Sequence, residues 1–474
     1  MSVHELRRPD GAPPGRAHAA LDVAALAALL PPGTVATDEA TLAAAARDTS
    51  GLTDGTGPAA VVRPRTVEQV QHVLAFADAG RVPVVPRGAG SGLAGGASGT
   101  AGSIVLSTER LDRIVELSPA DGVAVAEPGV VLADLDAAAR RHGLFYAPDP
   151  ASHRIATLGG SIATDAGGLR CVKYGVTRES VLALDVVLPG GRLLRTGHRS
   201  VKGVAGLDLT SLFVGSEGTL GVVVGATVRL RPVPAAQATL VGLFPDVPAA
   251  AAAVAALGVA PVSPALVELL GESAVASLRK RSSLPVLRAG QVLLLVRTDG
   301  YGAAAEADHV ARVLAVHGGT VRLAADEAEA EALLDLRRTW GLDPDRRRLI
   351  GEDVAVPRSA LVRIVTAVAD IAARHGLDHS LAAHAGDGNL HPSFDVVGPD
   401  PRSEAELQRA ALAAADELVA ETLRLGGTVT GEHGIGVLKQ RWLLDELGAD
   451  SVALQHAVKA VFDPNGILNP GKGY

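Results

Sequence analysis

A single cysteine, Cys171, is all the thiol chemistry this 474-residue chain contains. That excludes an intramolecular disulfide and a thiolate metal cluster, and it fits a reducing cytoplasm. Aromatic residues make up only 3% of the chain, which leaves few side chains to line a large hydrophobic pocket. No run of about twenty uninterrupted apolar residues occurs, so no membrane-spanning helix is expected. Met1 to Ala20 mixes Pro, Gly, Arg and Asp without the hydrophobic centre of a signal peptide, and reads as a disordered extension. The expectation is a cytoplasmic protein that touches the inner face of a membrane peripherally at most. The net charge of −8 comes with no basic block, which argues against a nucleic-acid partner.

What is present is Ala, Gly, Val and Leu, over a length that calls for two or more domains. An N-terminal helical segment spans 21–56. From there Ala60–Arg63 reads as a strand, Val67–Ala79 as an amphipathic helix and Val82–Pro86 as a strand, making a β-α-β unit. Its second strand runs into Arg87-Gly-Ala-Gly-Ser-Gly-Leu-Ala-Gly-Gly96. Successive backbone N–H groups in such a loop can hold phosphate oxygens without a lysine. The spacing fits neither the Rossmann fingerprint nor a P-loop. Two further glycine clusters, Thr157–Gly168 and Val214–Gly221, share its character, and three such loops suggest one extended anionic ligand, a dinucleotide threaded between two small α+β lobes. Pro232–Pro234 marks a boundary. Beyond it, strands at Thr239–Phe244 and Val292–Thr298 alternate with helices at Val247–Leu257, Gly302–His317 and Glu327–Arg338, as in a second α+β domain. Long helices over 357–376 and 403–425 follow, then an extended tail from Phe462 that packs back on another domain.

Polar chemistry concentrates in two segments, His384-Ala-Gly-Asp-Gly-Asn-Leu-His391 and Gly431-Glu-His-Gly-Ile-Gly436. Asp387-Gly388 is a favoured two-residue hairpin turn, which would pair Gly386 with Asn389, Ala385 with Leu390 and His384 with His391. Directly opposed residues have Cβ atoms roughly 4.5–5.5 Å apart, so both imidazoles could reach one metal ion. Glu432 can supply a third ligand, leaving His433 available as a base. The five glycines in these segments leave little apolar surface to bury, so packing does not explain the polar residues.

Taken together these motifs, with Gly168-Leu-Arg-Cys-Val-Lys-Tyr-Gly-Val176 and Leu468-Asn-Pro-Gly-Lys472, resemble the FAD-linked D-2-hydroxy acid dehydrogenases of the vanillyl-alcohol oxidase superfamily. That group includes glycolate oxidase catalytic subunits and D-lactate dehydrogenases, and the resemblance spans roughly residues 35–474. It implies an α+β fold with a two-lobed FAD-binding domain at 57–234, a substrate (cap) domain at 235–425, and a C-terminal segment at 426–474 that completes both sites. By the same resemblance Pro86, Arg87, Gly88, Ala89, Gly90, Ser91 and Gly92 hold the FAD pyrophosphate. Pro148, Gly160, Thr164, Gly167, Glu217 and Val223 lie along the flavin and adenosine, and Asn469 returns from the tail. The family's metal ligands fall on His384, His391 and Glu432, with zinc the expected ion, and its base falls on His433. Its substrate-carboxylate arginine falls on Arg337, with Arg338 the rival, and Asn389 joins it on the substrate.

The implied reaction is oxidation of glycolate or D-lactate to the 2-oxo acid. D-2-Hydroxyglutarate is the alternative, favoured if one of Arg346–Arg348 faces the pocket. A rival of another class is a companion subunit that binds FAD without substrate chemistry, but such a subunit should lack the metal motif. The electron acceptor, whether quinone, cytochrome or partner flavoprotein, leaves no motif, and homodimeric or heteromeric association stays open. Ser91, Asp165, Gly203 and Leu207 depart from the family's usual residues. Asp165 would place a charge near the flavin. No histidine stands where some relatives attach flavin covalently, so dissociable FAD is expected.

Overall fold

The computed structural model describes residues 20–200, 202–280, 290–339 and 346–474. The N-terminal extension expected over 1–20 lies outside them except for its last residue. The chain forms two compact units. The first holds the chain up to Gly167, Gly175–Val233 and Glu432–Tyr474; the second holds Gly168–Tyr174 and Pro234–Gly431.

In the first unit, helix α1 (Val67–Gly80) begins where the Thr66 side chain accepts the Gln69 N–H, and ends at left-handed Arg81. Val70, Val73, Leu74 and Ala77 recur at helical spacing and are fully buried. The helix links β2 (Ala60–Val62) to β3 (Val84–Arg87), yet these strands are not neighbours: β4 (Ile104–Ser107) lies between them, parallel to both. With β1 (Val35–Ala36) the sheet runs β1-β2-β4-β3. A second, antiparallel sheet is built from β5 (Ile114–Ser118), β6 (Val123–Ala126), β7 (Val181–Val187), β8 (Leu193–Gly197) and β9 (Val222–Arg229), in the order β5-β6-β9-β7-β8. Val187, Val222 and Val224 pack in the same cluster as the buried face of α1, which joins the two lobes.

The tail returns to this unit. Ile467 O accepts the Val84 N–H at 2.8 Å and the Asn469 N–H donates to Val84 O at 2.8 Å, so the chain adds to the edge of β3. Several helices here were not expected, short ones at Thr177–Ser180 and Leu209–Phe213 among them. Leu158–Thr164 (α2) reads as a glycine loop in the sequence, but the Thr157 side chain caps it and buried Leu158 and Ile162 anchor it. Gln440–Phe462 buries only Trp442 and is interrupted at Gly448, so it carries no sustained apolar stripe to read.

The second unit is one antiparallel sheet with helices. Its strands are β10 (Gln237–Phe244), β11 (Leu266–Leu270), β12 (Val292–Asp299), β13 (Thr320–Leu323), β14 (Arg346–Gly351), β15 (Val354–Ala355), β16 (Asp378–His384) and β17 (Asn389–Val397). They run β13-β10-β12-β11-β16-β17-β14, with β15 on β17. Helix α3 (Cys171–Tyr174) belongs here, stapled by Lys173 and Tyr174 to the buried Asp299 carboxylate. Helix α4 (Glu327–Arg338) starts at Asp326, whose carboxylate accepts the Glu329 N–H, and buries Leu333, Leu334 and Arg337.

The β16–β17 hairpin corrects the sequence expectation. The observed register is His384↔Asn389, Ala383↔Leu390 and Ala382↔His391, closed by residues 385–388 rather than by Asp387-Gly388 alone. A third strand decides this: the Gly386 N–H is taken by Val267 O of β11 at 3.1 Å, so it is not free to pair with Asn389. His384 and His391 become diagonal neighbours instead of opposed ones. Because side chains alternate with period two, the shift leaves both imidazoles on one face.

Candidate functional site

In the first unit the glycine loop is held from behind. Gly90 O accepts from the Thr49 N–H at 3.0 Å and Gly92 O from the Ser50 N–H at 3.2 Å. The Asp48 N–H donates to Ser98 Oγ at 3.1 Å. Pro86 and Arg87 end β3, and the Arg87 guanidinium turns onto its own loop, with Nη1 donating to Ala97 O at 2.8 Å. Burial lowers the Arg87 pKa, opposed by Asp48 and Glu109. Arg87 therefore braces the loop through its side chain. Gly88 packs directly on α2: a Cβ there would meet Thr157 Oγ1 at 2.3 Å and Gly160 Cα at 3.4 Å. Ala89 and Ser91 complete the turn between these anchors. Thr164, at the end of α2, donates its hydroxyl to Gly160 O at 3.2 Å. Asp165 is paired with the backbone N–H and Nε of Arg178 at 2.8 and 2.9 Å, so its charge is compensated. Pro148 is buried, and Val223 is the half-buried residue between buried Val222 and Val224 on β9.

The tail closes this region. Asn469 Nδ2 donates to Gly96 O at 3.0 Å and Glu217 O at 2.8 Å. Its Oδ1 is buried and has no hydrogen-bond partner among the described residues, as suits an acceptor that awaits a donor from a bound molecule. Glu217 carries the loop that follows Gly431: Oε1 accepts from the Ile435 N–H at 2.8 Å and Oε2 from the Gly436 N–H at 2.7 Å. Burial raises the Glu217 pKa while these two amides oppose it. Within the same loop Glu432 lies against Gly167, where a Cβ would meet its Oε2 at 2.5 Å. Neither Asp48 nor the anchoring role of the Glu217 carboxylate was legible beforehand.

Lys472 is buried with Nζ on Gly96 O at 3.1 Å and on Ser98 O. Burial pushes its pKa down to about 7, against the pull of Asp48 and Glu217. In the unfolded chain the amine keeps its ordinary value of 10.5, so between pH 7 and 10.5 the unfolded state binds more protons. The penalty for a buried charged amine is full below that window and is relieved as pH rises through it, so this residue makes stability increase with pH there. Lys472→Met should flatten that rise. Thermal melting of both proteins near neutrality and at about pH 9.5 checks it, and equal slopes would remove Lys472 as the cause.

In the second unit the sheet face brings the two histidines together. Their rings are edge-to-face, with centroids 5.1 Å apart and planes at 90°. His384 Nδ1 lies 2.8 Å from Glu268 Oε1, and Glu268 Oε2 lies 2.6 Å from Arg337 Nε. Arg337 Nη2 is 3.4 Å from His384 Nδ1. Arg337 is 2% exposed, whereas Arg338 pairs with Asp335 and Glu331 on the helix surface. Of the two arginines, Arg337 is the one that joins the histidines. Asn389 Nδ2 donates to Asp353 Oδ1 at 2.6 Å and Val354 O at 3.2 Å, which commits both amide protons and leaves its Oδ1. Asp353 is fully buried; its Oδ2 accepts from Thr430 Oγ1 at 2.7 Å and the Gly431 N–H at 2.9 Å, and its Oδ1 is 3.8 Å from His391 Nδ1. The chain runs from this anchored glycine straight into Glu432 and His433. Sequence reading missed Glu268, a lone acid in an apolar strand, and Asp353, which follows Glu352; the partners of both are distant in the chain.

Two imidazoles on one face, one of them backed by a carboxylate at hydrogen-bond distance, suit a divalent ion such as zinc. The glycine cradle and the buried, partnerless Asn469 Oδ1 suit a dinucleotide. The fold is shared with p-cresol methylhydroxylase, whose structure with substrate bound matches with a TM-score of 0.76 over 94% of this chain and 95% of that one, at 21% identity. Residues 58–197 match the family described as FAD binding domain, and residues 233–473 match FAD linked oxidases, C-terminal domain. The chain belongs to the FAD-linked oxidases, and FAD is its cofactor. It is 40% identical to the glycolate oxidase subunit GlcD of Bacillus subtilis over 421 residues, 88% of each chain. It is 36% identical to D-lactate dehydrogenase of Archaeoglobus fulgidus over 415 residues, 87% of this chain and 90% of the relative. No helix among the described residues is long and apolar enough to cross a membrane.

Proposed function

We propose that this protein oxidises a small D-2-hydroxy monocarboxylic acid, glycolate or D-lactate, to the 2-oxo acid. The observation that carries this reading is the buried grouping of His384 and His391 on one sheet face with Arg337 of helix α4 beside them, in a chain of the FAD-linked oxidase family. The relatives named for glycolate and D-lactate support the substrate class. When bound, FAD supplies the two-electron acceptor and a divalent ion, zinc by its donor set, supplies a Lewis acid. His384, His391 and Glu432 are the residues that would hold the ion. Arg337, ion-paired with Glu268 at its Nε, is the guanidinium that would hold the substrate carboxylate. Asn389 presents Oδ1 as an acceptor. His433 takes the hydroxyl proton as the α-hydrogen leaves as hydride, so one proton and two electrons with a proton depart and the carbon becomes a ketone or aldehyde. FAD is held without a covalent bond, and a separate acceptor, quinone, cytochrome or partner flavoprotein, removes the electrons.

Two of the three arginines that a dicarboxylate could use have other partners. Arg346 is paired with Asp395, four residues beyond His391 on β17 and hence about 13 Å along the strand, and Arg347 is paired with Glu404. Anaerobic titration of purified protein with glycolate, D-lactate, L-lactate and D-2-hydroxyglutarate tests the proposal. Bleaching of the flavin by glycolate or D-lactate, abolished by a chelator, is expected. Bleaching by D-2-hydroxyglutarate alone would overturn the substrate assignment, and a bound flavin that none of them reduces would favour the companion-subunit reading.

A further inference from the structure

We propose that Glu268 is a positioning residue that holds both His384 and Arg337 in their working orientations. The inference rests on the metal reading of the site. Glu268 faces His384 directly in the β11–β16 ladder, so backbone hydrogen bonds set the distance between the two side chains. It lies in the buried strand Leu266-Val-Glu-Leu-Leu270 and is itself 1% exposed. A carboxylate in such a place is expensive unless it is paired, and even a paired one adds little net stability over an apolar residue. Its use is therefore better sought in what it touches.

Each oxygen has its own task. Oε1 sits 2.8 Å from His384 Nδ1, which places the proton on Nδ1 and leaves the Nε2 lone pair as the only one the ring can offer to a cation. Oε2 sits 2.6 Å from Arg337 Nε. That ion pair fixes the Nε edge of the guanidinium, while Nη2 lies 3.4 Å from His384 Nδ1. One carboxylate thus fixes the tautomer of a metal ligand and the direction of an anion clamp. Without it, His384 could adopt the other tautomer, and the Arg337 charge beside the imidazole would lose its counter-charge.

The rival account is that Glu268 merely neutralises buried Arg337. The two accounts part in a pair of variants, Glu268→Gln and Glu268→Gln/Arg337→Met, each purified with FAD and dialysed to equilibrium against zinc buffers. Zinc per FAD is read by elemental analysis, with thermal melting alongside. Wild type should bind zinc stoichiometrically. Glu268→Gln should bind it about 10–100-fold more weakly, and the double variant, which removes the unpaired buried charge, should recover its melting temperature but not its zinc affinity. If Glu268→Gln does not fold, Glu268→Asp replaces it and should show a smaller loss in the same direction. Wild-type affinity in Glu268→Gln, or restored affinity in the double variant, would overturn the positioning role. A wild-type protein that binds no zinc, cobalt or manganese would instead sink the metal reading, and the inference with it.

Discussion

Replacing His433 with alanine should slow reduction of the bound flavin by glycolate or D-lactate by about 10²–10⁴-fold, the usual contribution of a positioned base. That corresponds to about 2.7–5.5 kcal/mol on the barrier. His433 is the residue after Glu432 in a loop whose later amides, Ile435 and Gly436, are held by Glu217. The hydrogen bonds given above for Asn469 and the glycine loop run to other residues, so FAD content should match wild type. Rapid-mixing measurement of flavin bleaching under anaerobic conditions reads the step itself. A variant reduced as fast as wild type would show that another group takes the hydroxyl proton.

Glu217→Ala should have an effect of similar size by a different route. The substitution leaves two amides, of Ile435 and Gly436, without their acceptor in a partly buried setting, at about 1 kcal/mol or more each. The loop that carries Glu432 and His433 then loses its anchor. FAD should be retained better than activity, because Asn469 binds the Glu217 carbonyl and not its carboxylate. Bound FAD, zinc content and flavin reduction measured on one preparation settle the order. If FAD is lost first and zinc is kept, the carboxylate belongs to the cofactor site, as the sequence reading had placed it, and the anchoring role fails. Glu217→Gln, which keeps an oxygen acceptor, should lie between the two.

Local signals carried much of the architecture. Helix α1 and the helix over Glu404–Arg424 announce themselves through their caps: Thr66 on the Gln69 amide, and Ser403 with Glu406 in a reciprocal capping box. Val247–Leu257 and Glu327–Arg338 begin after Asp246 and Asp326, each of which caps its helix. Such contacts span only a few residues, so they are written in the sequence. Where local and tertiary demands differ, reading failed. Leu158–Thr164 is helical despite its glycines because Leu158 and Ile162 are buried in the unit's core. Leu266–Leu270 is too short and too uniformly buried to show a period.

The residue types of the site, two histidines around a glycine turn and a Glu-His pair after a glycine, were determined by the sequence alone, and so was the glycine loop behind Pro86. Their pairing was not. The hairpin turn at 385–388 depends on Val267 of a third strand, the choice of Arg337 over Arg338 depends on which face of the helix is buried, and the roles of Glu268, Asp353 and Glu217 depend on partners 36 to 219 residues away. A single sequence records what each residue can do; hydrogen bonds between distant strands and loops decide which of them meet, because their strength depends on burial and register that exist only in the folded chain.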